Sequence, residues 1–102
     1  MVLLDFSVTP LGTGESVGQY VAECVDIIDR SGLDYRLHSM GTTVEGDLDQ
    51  VLAVLKQCIE AVAAKTTRVS VAAKLDVRPS HRGMIDAKVA SVEKRLGRPV
   101  KK

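Results

Sequence analysis

The sequence predicts an α+β fold, a ferredoxin-like split β-α-β: a four-stranded antiparallel sheet, two helices on one face and a third helix added at the C-terminus. Three observations predict it. Residues 68–78 alternate Val69, Val71, Ala73, Leu75 and Val77 with mostly polar neighbours, a period of two over the whole segment. Two stretches of helical period, with apolar residues from Val17 to Ile28 and from Leu48 to Val62, each lie between strand-like runs. Two short β-rich runs meet at Gly41 with so little chain between them that they must pair antiparallel. The order is therefore β-α-β-β-α-β-α, and right-handed crossovers bring the halves into one sheet. At 102 residues the chain fits a single domain, 1–102, with enough length to bury a core.

Each element follows from its residues. Val2 to Thr9 is apolar and β-branched and is stopped by Pro10, so it reads as a strand. Residues 11–15 are loop chemistry; Ser16 is the expected N-cap of the first helix, with Gln19 as its capping-box partner. Val17, Tyr20, Val21, Cys24, Val25 and Ile28 form its stripe, and Gly32 closes it. Tyr35–Ser39 and Thr42–Glu45 are the hairpin strands. Asp47 caps the second helix with Gln50 three residues on, and Leu48, Val51, Leu52, Leu55, Cys58, Ile59 and Val62 make its apolar face. After the strand at 68–78 and a loop at 79–83, Ile85, Val89, Val92 and Leu96 form the stripe of the last helix, which Gly97 and Pro99 end. The tail 100–102 is expected to fray.

Composition removes several function classes. Fourteen basic residues against thirteen acidic ones give a net charge of +1, so there is no basic field for nucleic acid. With no Trp, one Phe and two Tyr there is no base-stacking platform. No apolar run approaches the ~20 residues of a membrane helix, and the first residues lack an export signal, so a reduced, cytoplasmic setting is expected. Two cysteines make neither a disulfide framework nor a four-ligand zinc site, and both fall on core stripes, where buried, unreactive thiols are expected.

In such a fold one sheet face meets the helices and the other is bare. Alternation sends Val2, Leu4, Phe6 and Val8 to the core, with Tyr35, Leu37 and Val44. The open face then collects Leu3, Asp5, Ser7 and Thr9, Arg36, His38, Thr43 and Glu45, and Arg68, Ser70, Ala72, Lys74, Asp76 and Arg78. A solvated face has this composition. So has a polar ligand site or a sheet-to-sheet contact, and the small Ser7, Ser70 and Ala72 favour close approach of a partner. Gly12-Thr13-Gly14 lacks the lysine of a phosphate loop and reads as a connector. His38 has no second histidine at metal spacing. Glu45 is the acid best placed to accept hydrogen bonds from an amino group, or else to pair with Arg36 or Lys74. Asp76, between Lys74 and Arg78, has the same two readings. No Ser-His-Asp order or Cys-His pair points to catalysis.

The run Leu37-His38-Ser39-Met40-Gly41-Thr42-Thr43-Val44-Glu45-Gly46 resembles the signature of the thiamine-binding protein family. Ser7–Gly12, Ser16–Val21, Arg68-Val69-Ser70 and Lys74–Arg78 resemble its first strand, first helix and last strand, so the resemblance covers nearly the whole chain. It implies a ferredoxin-like fold, subunits paired through their sheets and assembled as homotetramers, and non-enzymatic binding of thiamine or its hydroxymethylpyrimidine part at the open sheet face or subunit interface; no other cofactor is expected, and the histidine spacing argues against a metal. It implies a ligand environment of Ser7, His38, Gly41, Thr42, Thr43, Glu45 and Asp76. Leu75 and Ser39 depart from the isoleucine and proline common in relatives, the latter loosening the strand end before Met40. Two other readings remain: a cofactor-free oxygenase using His38, and a regulatory or interaction module.

Overall fold

The computed structural model describes residues 1–12, 14 and 17–102. Seven elements run in the expected order: β1 (Val2–Pro10), α1 (Gly18–Arg30), β2 (Asp34–His38), β3 (Gly41–Gly46), α2 (Leu48–Ala63), β4 (Val69–Val77) and α3 (Met84–Leu96). The sheet is antiparallel throughout, in the order β2-β3-β1-β4. β1 is one residue longer than its composition suggests. Pro10 pairs with Val69, at a stage where β1 has lost β3 as a neighbour, and a strand with one free side tolerates a missing N–H. The expected Ser16 cap lies outside the described residues. At α2 the expected capping box is present: the Gln50 side chain accepts the Asp47 amide at 2.9 Å, and the Asp47 side chain meets the Gln50 amide in return.

The core lies between the sheet and the α1/α2 layer. Val2, Leu4, Phe6, Val8 and Val44 enter it from the sheet, Tyr20, Cys24 and Ile28 from α1, and Val51, Val54, Cys58 and Val62 from α2. The α2 stripe is thus rotated from the expected one: Val54 is buried, while Leu48 and Leu52 are exposed. The reason is position. α2 lies over β1, and Leu48 and Leu52 fall beyond the core it shares with α1. β4 is an edge strand, and its helix-side residues Val71, Leu75 and Val77 stay exposed for the same reason.

α3 corrects the picture of a bare open face. Its first turn lies across the end of that face formed by Leu3, Glu45 and Asp76. Of its expected stripe only Ile85 is buried; Val92 and Leu96 remain half exposed.

Candidate functional site

The register places the open-face residues in rows. Asp34, Glu45, Leu3 and Asp76 form one row and Arg36, Thr43, Asp5 and Lys74 the next; beyond them His38 pairs with Gly41 and Ser7 with Ala72. The seven residues expected around a ligand therefore divide between two ends of the sheet.

At one end, β1, α1 and the β2–β3 turn enclose a cavity of about 330 Å3, at the small end of the ~300–1,000 Å3 usual for small-molecule sites. Ser7, His38, Gly41 and Thr42 line it, together with Thr9 and Ser39; Val17, Val21 and Leu37 supply apolar wall, and Cys24 of α1 also lines it. The turn owes its shape to Gly41. A Cβ there would stand 2.6 Å from the Phe6 carbonyl oxygen, so only glycine lets β3 leave the turn this close to β1. Thr42 is 6% exposed and borders the cavity, and its hydroxyl has no hydrogen-bond partner among the described residues. A buried hydroxyl without a partner is costly, and one at a cavity wall is a ready contact for a polar ligand.

Asp5 organises the adjoining open face. One of its carboxylate oxygens accepts from His38 Nε2 at 2.7 Å and from the Thr43 hydroxyl at 2.9 Å. His38 Nδ1 accepts the Met40 amide at 3.4 Å, which assigns the ring hydrogen to Nε2. The imidazole is thereby held between the turn and Asp5, and His38 is one of the residues that line the cavity. Thr43 stands behind this pair and does not line the cavity. Asp5 was missing from the expected ligand set, although alternation had already placed it on one face with His38 and Thr43.

At the other end, Glu45 and Asp76 belong to the seat of α3. Glu45 is 4% exposed, and its two carboxylate oxygens accept the amides of Gly83 at 2.7 Å and Ile85 at 3.0 Å. A carboxylate at a helix N-terminus satisfies orphan donors and meets the positive end of the helix dipole. Gly83 has φ +67°, the left-handed region that suits glycine, at the residue whose amide meets Glu45. Glu45 thus pairs with neither Arg36 nor Lys74. Arg36 instead bridges Asp34 at 2.8 Å and Asp86 of α3 at 3.0 Å. Asp76 pairs with Lys88 of α3, whose ammonium holds its carboxyl below the usual value, with Arg78 and Lys74 adding to the effect.

The sequence model of the thiamine-binding protein family matches residues 4–93, nearly the whole chain and both ends of the sheet. The chain belongs to the thiamine-binding protein family. Among relatives, the UPF0045 protein of Mycobacterium tuberculosis is 46% identical over 99 residues, covering 96% of this chain and 97% of the relative. That of Synechocystis is 43% identical over 93 residues, covering 90% of this chain and 77% of the relative. Among solved structures, a hypothetical protein of Methanocaldococcus jannaschii superposes with a TM-score of 0.84 at 31% identity, covering 91% of this chain and 96% of that one. A Thermotoga maritima protein provisionally assigned to thiamine biosynthesis or salvage gives a TM-score of 0.78 over 89% of this chain and 97% of that one. Its 19% identity makes this a likeness of fold. Family members thus share the small α+β architecture reached above from periodicity.

Proposed function

We propose that this chain binds thiamine or a related hydroxymethylpyrimidine compound without changing it, as a carrier or sensor, and that the ligand occupies the cavity between β1, α1 and the β2–β3 turn. The observation that carries this reading is that the turn with the strongest family likeness, Leu37 to Thr42, is also the wall of that cavity. The chemistry matches. An aminopyrimidine presents donors and acceptors around its edge, and the Ser7 and Thr42 hydroxyls can serve either role. Its ring faces would lie against Val17, Val21 and Leu37. Family membership and the provisional assignment of the Thermotoga neighbour point the same way. In this reading the ligand lies off the open face expected from sequence, where Glu45 and Asp76 are engaged by α3.

Calorimetric titration with thiamine and, separately, with free hydroxymethylpyrimidine tests the proposal. Binding of at least one is expected in the wild type. Thr42→Val keeps the shape and removes the hydroxyl. It should weaken binding by roughly tenfold to a hundredfold, the equivalent of about 1–3 kcal/mol for one buried hydrogen bond. Absence of binding by both compounds would overturn the reading. The His38–Asp5 pair is also what an oxygenase would use as a general base. Consumption of dioxygen with an aromatic substrate would favour that second reading.

A further inference from the structure

The buried cysteines are arranged as a pair. Cys24 on α1 and Cys58 on α2 meet across the interface of the two helices. The Cys24 sulfur lies 3.9 Å from the Cys58 carbonyl oxygen, and the Cys58 sulfur 3.7 Å from that of Cys24. Reciprocal contacts of this kind set each thiol against the other residue's own peptide, so the two side chains face one another. They differ in access. Cys58 is fully buried, whereas Cys24 lines the cavity described above.

We infer that Cys24 and Cys58 form a peroxide-responsive dithiol, in which Cys24 is oxidised from the cavity and Cys58 resolves it to a disulfide joining α1 to α2. The steps balance. Cys24 gives up its proton and the thiolate attacks hydrogen peroxide, a small oxidant able to enter the cavity; the O–O bond breaks, a sulfenic acid forms, and the other oxygen leaves as hydroxide, which takes up that proton to become water. The Cys58 sulfur then displaces the sulfenic hydroxyl, an S–S bond forms, and a second water leaves with the Cys58 proton. Two thiols lose two electrons in all, and peroxide takes them up. Access sets this order: Cys24 lines the cavity through which an oxidant would arrive, while Cys58 is fully buried and can meet a sulfenic acid only at Cys24. The inference is independent of what the cavity holds in the resting protein.

Exposure of the folded protein to hydrogen peroxide, followed by alkylation of free thiols and intact-mass measurement without reductant, tests it. The expected product is monomeric, takes up no alkylating agent and is lighter than the reduced chain by two hydrogen atoms. Trypsin should release the peptide 57–65 joined to the peptide 1–30, which contains no internal Lys or Arg. The Cys58→Ser variant should stop at a Cys24 sulfenic acid that a dimedone-type reagent captures, and Cys24→Ser should leave Cys58 unoxidised. Two alkylatable thiols in the wild type after treatment would overturn the inference. So would accumulation of sulfinic acid at Cys24 without disulfide, or disulfides only between chains. The wild-type measurement decides even if a variant fails to fold.

Discussion

Gly41 and Glu45 stand four positions apart on one hairpin strand and do different work. At Gly41 the 2.6 Å gap between a notional Cβ and the Phe6 carbonyl leaves no room for a methyl group. Gly41→Ala should force β3 away from β1, at a cost of about 1–3 kcal/mol by analogy with overpacked cores, and should distort the cavity wall at the same time. Thermal unfolding and ligand titration should therefore worsen together; a stable variant with unchanged affinity would show that the turn can shift without affecting the site. Glu45 should separate the two readouts. Its carboxylate holds the Gly83 and Ile85 amides. Glu45→Gln replaces one acceptor oxygen with a donor that faces an N–H, so about 1.5–3 kcal/mol of charge-assisted hydrogen bonding is at risk. The melting temperature should fall while the dissociation constant for the cavity ligand stays the same. The opposite pattern, unchanged melting with weaker binding, would place Glu45 in the ligand site as its position in the family motif had implied.

Among the elements, α3 is the one held mainly by polar contacts: Glu45 at its N-terminus, the Arg36–Asp86 bridge, the Asp76–Lys88 pair and one buried apolar side chain, Ile85. Asp76 titrates below its ordinary value of 3.8 in the fold, chiefly through Lys88. A carboxyl depressed in the folded state stabilises it above the unfolded value, and that contribution is lost as pH falls through the folded one. Acidification below 3.8 should therefore loosen α3 before the sheet, and added salt should weaken the same exposed pair. Amide exchange should show α3 losing protection while β1 and β3 keep theirs; equal loss in all three would mean that α3 opens only with the whole domain. The existence and order of all seven elements were legible in the sequence, because β1, β4 and both inner helices carry their period in apolar residues. Less legible was how they cover one another. Alternation correctly put Glu45, Asp76 and Arg36 on the face away from the core. It had no means of showing that α3 folds back over them, since that docking rests on backbone amides and long-range ion pairs rather than on a hydrophobic period. The α2 rotation was hidden for a related reason: Leu48, Leu52 and Leu55 are as apolar as Val51 and Val54, so composition alone left the buried side ambiguous. The cavity was half legible, in that the motif named Ser7, His38, Gly41 and Thr42 but not the α1 residues opposite them.

At the scale of the molecule, the radius of gyration is 14.8 Å, against ~13 Å for a compact chain of about 100 residues, and the longest extent is 46 Å against a shortest of 20 Å. The distal half of α3, with Val92 and Leu96 each 49% exposed, is one part left without cover. The helix-side flank of β4 is another: Val71, Leu75 and Val77 are exposed along an edge strand, beside an α2 that exposes Leu48 and Leu52. An edge with free backbone groups and an apolar flank is a template for pairing with another chain. Self-association is therefore expected, as the homotetramers implied by the family resemblance also suggest. Two contacts compete. The open sheet face still offers the small Ser7, Ser70 and Ala72, but around Asp5, Thr43 and Lys74, which are polar. The β4 edge exposes the apolar Val71, Leu75 and Val77, so it is the contact expected to hold the assembly together. Sedimentation at micromolar concentration should give a mass well above the 11.0 kDa of one chain. Leu75→Lys together with Val77→Lys should dissociate the assembly, because each buries a charge in that contact, while Ala72→Lys on the open face should leave it intact. The reverse pattern would return the contact to the sheet face, and a wild-type mass of 11.0 kDa would show that neither surface drives association.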